Sequence, residues 1–97
     1  MSNSVMIRYH KGSEVVELKA KHAGTYLQLG LKIAYYRKLR GLTQEQLAEQ
    51  VGLTPAFIGH VEAPNINKAI SLDTLFDIAE ALEIPPYKFL LFDPDDL

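Results

Sequence analysis

Thr43-Gln44-Glu45-Gln46-Leu47-Ala48-Glu49-Gln50-Val51-Gly52-Leu53-Thr54-Pro55-Ala56-Phe57-Ile58-Gly59-His60-Val61-Glu62-Ala63 is the stretch that decides the fold. Thr43 with Gln46 three residues on has the spacing of a capping box, opening a helix with Leu47, Ala48 and Val51 inward. Gly52 stops that helix, because glycine takes the left-handed turn at little cost. Thr54 caps a second helix, and Pro55 occupies its first position, where a missing N–H leaves nothing unsatisfied. So short a turn makes the two helices cross steeply and projects the second one outward. Wound at 3.6 residues per turn, helix 54–63 directs Ile58 and Val61 inward with Phe57 beside them. Ala56, Gly59, His60 and Ala63 then point away from the core. Small, uncharged residues are unusual on a solvated helix face and suit one pressed into a groove.

Upstream, Thr25 and Gln28 again have capping-box spacing, and Leu29, Ile33 and Tyr36 follow on one face. Tyr35 and Tyr36 read most simply as core and rim of this first helix. Gly41 ends it, with Arg37, Lys38 and Arg40 in the last turns, where the helix dipole favours cations. Downstream, Pro64 ends helix 54–63 and residues 65–70 form a loop. Ser71 caps a fourth helix with the stripe Leu72, Leu75, Ile78, Ala79 and Leu82. Pro85-Pro86 breaks that pattern, and Tyr87 to Phe92 reads as a last short helix. The expected fold is therefore an all-α domain of four to five helices over residues 25–92, followed by an acidic tail, 93–97. Residues 1–24 form an N-terminal extension. Within it Val5, Ile7 and Tyr9 alternate, Val15-Val16 are β-branched, and Gly12 can make the turn of a β-hairpin. Glu17 to Ala23 reads equally well as the beginning of a helix. A lone two-stranded hairpin is barely stable in water, so it must lean on the helices or on a second copy.

Composition narrows the function. A chain of 97 residues holds one modest core, and the absence of Cys excludes disulfides and thiolate metal sites and fits a reducing cytoplasm. The N-terminus lacks the basic start and apolar run of a signal peptide, and no stretch approaches membrane-spanning length. His10, His22 and His60 have no metal-ligand spacing, and there is no glycine-rich phosphate loop or Ser/His/Asp grouping. No cofactor, metal or enzymatic activity is expected. The net charge of −2 is unevenly distributed. Residues 1–41 carry eight Lys or Arg against two Glu; residues 42–97 carry two Lys against ten acidic groups. Such a split lets one face meet an anion while the whole stays soluble.

Two stretches carry a family resemblance: Leu29 to Leu53, with its Arg37-Lys38…Gly41-Leu42-Thr43-Gln44…Leu47-Ala48…Gly52 order, and Leu72 to Leu82. They resemble the helix-turn-helix domain of Cro-like (phage lambda repressor-like) transcriptional regulators, over residues 27–92. The resemblance implies a sequence-specific DNA-binding regulator of the repressor type, with helix 54–63 in the major groove. By its positions Gln44 grips a backbone phosphate, and Thr54, Pro55, Ala56 and His60 meet base edges, with Gly59 on the same side. Arg37 and Glu62 match a pair that bridges helix 1 to the end of helix 3 and steadies the phosphate contact. Arg37, Lys38, Asn65, Asn67 and Lys68 are the further phosphate candidates. The chain departs from the family in carrying no Arg, Lys, Asn or Gln on the outer face of the reading helix, the types that make bidentate bonds to purines. It also has Pro64-Asn65 where the family places Gly.

One short reading helix makes few contacts, and two-fold proteins solve this by spanning two half-sites. A homodimer on double-stranded DNA is therefore expected, with Phe89, Leu91 and Phe92 in the dimer interface as apolar surface beyond what one terminal helix can bury. The alternative is an antitoxin-like or adaptor module that uses this surface on a protein partner such as a toxin. The uncharged reading face and the acidic C-terminal half favour it, and the cations from Arg37 to Arg40 oppose it.

Overall fold

The computed structural model describes residues 6–11, 14–66 and 68–92. Val5, the expected hairpin turn at Gly12, the loop residue Asn67 and the acidic tail 93–97 lie outside the described residues. Four helices form an all-α domain: α1 (Ala23–Leu39), α2 (Gln44–Val51), α3 (Pro55–Glu62) and α4 (Leu72–Leu82). Ahead of them β1 (Met6–Lys11) pairs antiparallel with β2 (Glu14–Lys19), Tyr9 opposite Val16.

The caps explain where three of the helices begin. Thr43, Ser71 and Thr54 each accept a backbone N–H of the following first turn, and Gln46 returns the bond to Thr43 N. The first helix differs from expectation. It begins at Ala23 without a side-chain cap, so Thr25 is its third residue and no capping box forms there. The reason lies upstream: a 3-10 turn, Ala20–His22, leads directly into α1 and supplies its first turn.

The core is one cluster. Ile33, Leu47, Ile58, Leu75, Ile78, Leu82 and Phe89 are its fully buried side chains, with Leu29, Phe57 and Val61 at its edge. α3 packs on both α1 and α2, and α4 closes the far side. Leu72, expected in the stripe of α4, is exposed, because the first residue of that helix lies beyond the edge of the core. The expected terminal helix over Tyr87–Phe92 is instead a 3-10 turn, Pro86–Leu90, with a proline at its first position. It is long enough to drop Phe89 into the core, where its ring meets Tyr36 edge-on at 5.1 Å. Tyr35, expected in the core, is exposed instead, its ring resting edge-on against Tyr36 at 5.1 Å.

α4 ends on Glu83 in the left-handed conformation, φ 57°, the one non-glycine residue with positive φ among the described residues. Arg40 reaches across from the end of α1 and donates to Leu82 O at 2.7 Å and Glu83 O at 3.1 Å. These bonds satisfy carbonyls that the helix itself leaves open. A left-handed residue with a Cβ costs about 1–2 kcal/mol. Glu83→Gly removes that strain while keeping both carbonyls, and gives part of it back as extra freedom in the unfolded chain. We expect a net gain of about 0.5–1 kcal/mol in urea denaturation; a loss of stability would show that the Glu83 side chain contributes more than its backbone costs.

Candidate nucleic-acid interface

The turn between α2 and α3 sets the geometry of the site. Gly52 adopts φ 69° at the end of α2, and Leu53 N–H bonds back to Ala48 O at 2.9 Å, which closes the helix and reverses the chain. Thr54 Oγ1 accepts Phe57 N–H at 3.1 Å and caps α3, which starts at the next residue, Pro55. The inner side of α3 is then fixed by burial of Phe57, Ile58, Val61 and Glu62. Thr54, Pro55, Ala56 and His60 are exposed and Gly59 is half-buried, so the five base-facing candidates share the outer side of one short helix.

Behind this face stands a buried ion pair. Arg37 Nε donates to Glu62 Oε2 at 2.7 Å and Nη2 to Glu62 Oε1 at 2.8 Å, a bidentate fork. The side chains are only 9% and 5% exposed. The third arm, Nη1, donates to Leu42 O at 2.7 Å in the turn between α1 and α2. Gln44, first residue of α2, donates its Nε2 to Glu62 Oε1 at 3.1 Å. One carboxylate thus holds side chains from α1 and α2 against the end of α3. The Glu62 hydrogen bonds raise the Arg37 pKa above its already high ordinary value, against the burial that lowers it. Arg37 therefore sits behind the surface as a brace, with three of its donors engaged inside the protein.

The phosphate candidates separate. Gln44 is half-buried, and its Oε1 lies 3.5 Å from where a Cβ on Gly59 would stand, so it borders the outer face of α3. Its backbone N–H belongs to the unbonded first turn of α2, which favours an anion. Lys38 and Asn65 are exposed. Lys68, expected as a phosphate ligand in the loop, is 7% exposed, and its Nζ lies 4.9 Å from the centre of the Phe57 ring. Burial lowers its pKa from the ordinary lysine value. It packs under the start of α3, because the loop 68–70 runs through the core with Ala69 and Ile70 also buried.

Sequence reasoning missed two contacts of this frame. Arg40, read as a complement to the dipole of its own helix, clasps the end of α4. The Gln44–Glu62 bond had a signal available, since Gln44 was placed at the start of α2 and Glu62 beside Arg37.

The geometry agrees with what this chain is similar to. A family model described as helix-turn-helix matches residues 33–89. Control protein C.SmaI of Serratia marcescens is 40% identical over 62 residues, 64% of this chain and 71% of that protein. The restriction-modification controller protein C.AhdI of Aeromonas hydrophila has a similar solved structure, with TM-score 0.65 and 31% identity over 70% of this chain and 96% of that one. SinR, a master regulator for biofilm formation solved in complex with DNA, superposes with TM-score 0.60 and 25% identity, covering 65% of this chain and 98% of its own.

Glu62→Gln tests the brace. The amide keeps the size of the carboxylate but leaves Arg37 charged and buried without a counter-charge, so we expect a loss of about 3 kcal/mol. Urea denaturation at low and high salt measures it. A loss under about 1 kcal/mol that vanishes in salt is the signature of a surface pair and would contradict the buried one.

Proposed function

Because the chain belongs to the Cro-like helix-turn-helix family of DNA-binding transcription regulators, we propose that α3 lies in the major groove of operator DNA as one half of a homodimer. The chain acts as a regulator and not as an enzyme. The observation that carries the groove reading is the pairing of an exposed, small-residue outer face on α3 with a buried network that aims Gln44 along its edge. In this reading Thr54, Pro55, Ala56, Gly59 and His60 face bases, while Gln44, Lys38 and Asn65 meet phosphates on either side. With His60 the one side chain of that set able to donate from mid-helix, Ala56 and Pro55 offer apolar contact to a thymine methyl, and readout leans on shape as well as on hydrogen bonds. Like other transcription regulators, it would do this in the cytoplasm.

Affinity measured over a salt series, on DNA from just upstream of its own gene and on random DNA, separates the two kinds of contact. Lys38→Ala should weaken both alike and reduce the salt slope by about one unit. His60→Ala should cost about 1–3 kcal/mol on the upstream site and little on random DNA. If neither substitution changes binding, α3 is not in the groove, and the protein-partner reading takes its place.

Two-fold association has its own support. Leu72, Phe76, Leu90 and Leu91 are exposed, and beside them a groove of about 510 Å3 runs between the beginning of α1 and the beginning of α4, lined by Tyr26, Leu29, Leu75 and Phe92. Leu72 and Leu90 also line that groove, and large exposed apolar patches mark interaction sites more often than free surface. Phe89, first expected in the interface, is 0% exposed and belongs to the core instead, leaving Leu91 and Phe92 from the expected set. Light scattering should give twice the monomer mass, and Leu91→Asp should halve it without loss of helicity. A monomeric parent chain would overturn the dimer and the two-fold operator with it.

A further inference from the structure

Gly30 lies buried in α1, facing the last turn of α3. A Cβ placed on it would run into the carbonyl oxygen of Val61, with the Val61 carbonyl carbon 3.1 Å and Glu62 Cα 3.6 Å away. The obstacle is backbone, so no rotamer change relieves it; α3 has to move off α1. Glu62 is the residue next to that contact, and it carries the bonds to Arg37 and Gln44. Those bonds are 2.7 to 3.1 Å long, and a separation near 3.6 Å is no longer a hydrogen bond. A small shift at Gly30 is therefore felt at the end of α3 and at the first residue of α2 together. Gly24, in the same helix, has nothing within 4 Å of a Cβ and carries no such constraint.

We propose that Gly30 is a positioning residue for DNA binding: by bringing the Val61–Glu62 backbone against α1, it sets the reach of Glu62 to Arg37 and Gln44 and so the pose of α3. The proposal rests on the reading that α3 meets DNA. Its test compares the parent chain with Gly24→Ala, Gly30→Ala, Glu62→Gln and the Gly30→Ala/Glu62→Gln pair, at a temperature where circular dichroism shows each folded. DNA affinity and hydrogen exchange of the Arg37 Nε proton are measured on each.

Gly24→Ala should leave affinity within about twofold, and Gly30→Ala should lower it about tenfold and speed Arg37 Nε exchange. In the Glu62→Gln background Gly30→Ala should add under about twofold, because the network it acts through is already broken. Equal losses in both backgrounds, unchanged affinity, or a Gly30→Ala chain that no longer folds would each overturn the positioning role. If the parent itself binds no DNA, the groove reading fails; the Arg37 exchange rate then still decides whether Gly30 sets the network.

Discussion

The bidentate bond between Arg37 and Glu62 is the constraint on which the domain's working geometry depends. Two charges withdrawn from water lose several kcal/mol of hydration each, and their attraction offsets this only when the geometry is good and the remaining groups are bonded. Here both conditions hold: the fork is closed at 2.7 and 2.8 Å, Leu42 O takes the third arm, and Gln44 donates a third bond to the carboxylate. A well-packed apolar pair could stabilise the fold as well. What an apolar pair could not do is fix direction. Three helices and the turn between two of them are tied to one carboxylate, so their relative angles are held by bonds that tolerate little displacement.

That fixed frame accounts for how little chemistry α3 shows on its outside. A helix whose outer side chains are Pro55, Ala56, Gly59 and His60 cannot grip DNA by charge. In the proposed reading that frame presents it at the right depth, and Lys38 of α1 and Gln44 of α2 supply the cation and amide contacts. Lys38 belongs to the basic first half of the chain, whereas α2, α3 and α4 are all built from the acidic second half. Lys68, buried beneath α3, sets its ammonium over the Phe57 ring.

Much of this was legible in the sequence because local signals coincide with tertiary demands. Thr43, Gly52, Thr54, Pro55 and Ser71 each require a particular backbone state, and the structure places every one at a helix boundary. Arg37 and Glu62, 25 residues apart, are joined by no local signal; only the resemblance to Cro-like regulators brought them together. Where expectation failed, a longer-range effect decided. Thr25 lost its capping role to a 3-10 turn upstream, Phe89 was drawn into the core by Tyr36, and Lys68 was buried by a loop that threads between helices. The close approach at Gly30 leaves no periodicity at all, since a glycine in a helix announces only that a side chain is missing.

Whether α3 is the reading element can be seen most directly in the amide NMR spectrum of the labelled protein, titrated with duplex DNA from upstream of its gene. If it is, the signals of Gln44, of Thr54 and Ala56 to His60, and of Lys38 shift on binding, while those of Phe76, Leu90 and Leu91 stay where the free protein has them. Shifts gathered on α4 and the terminal turn, with Gln44 and Ala56 unmoved, would contradict it.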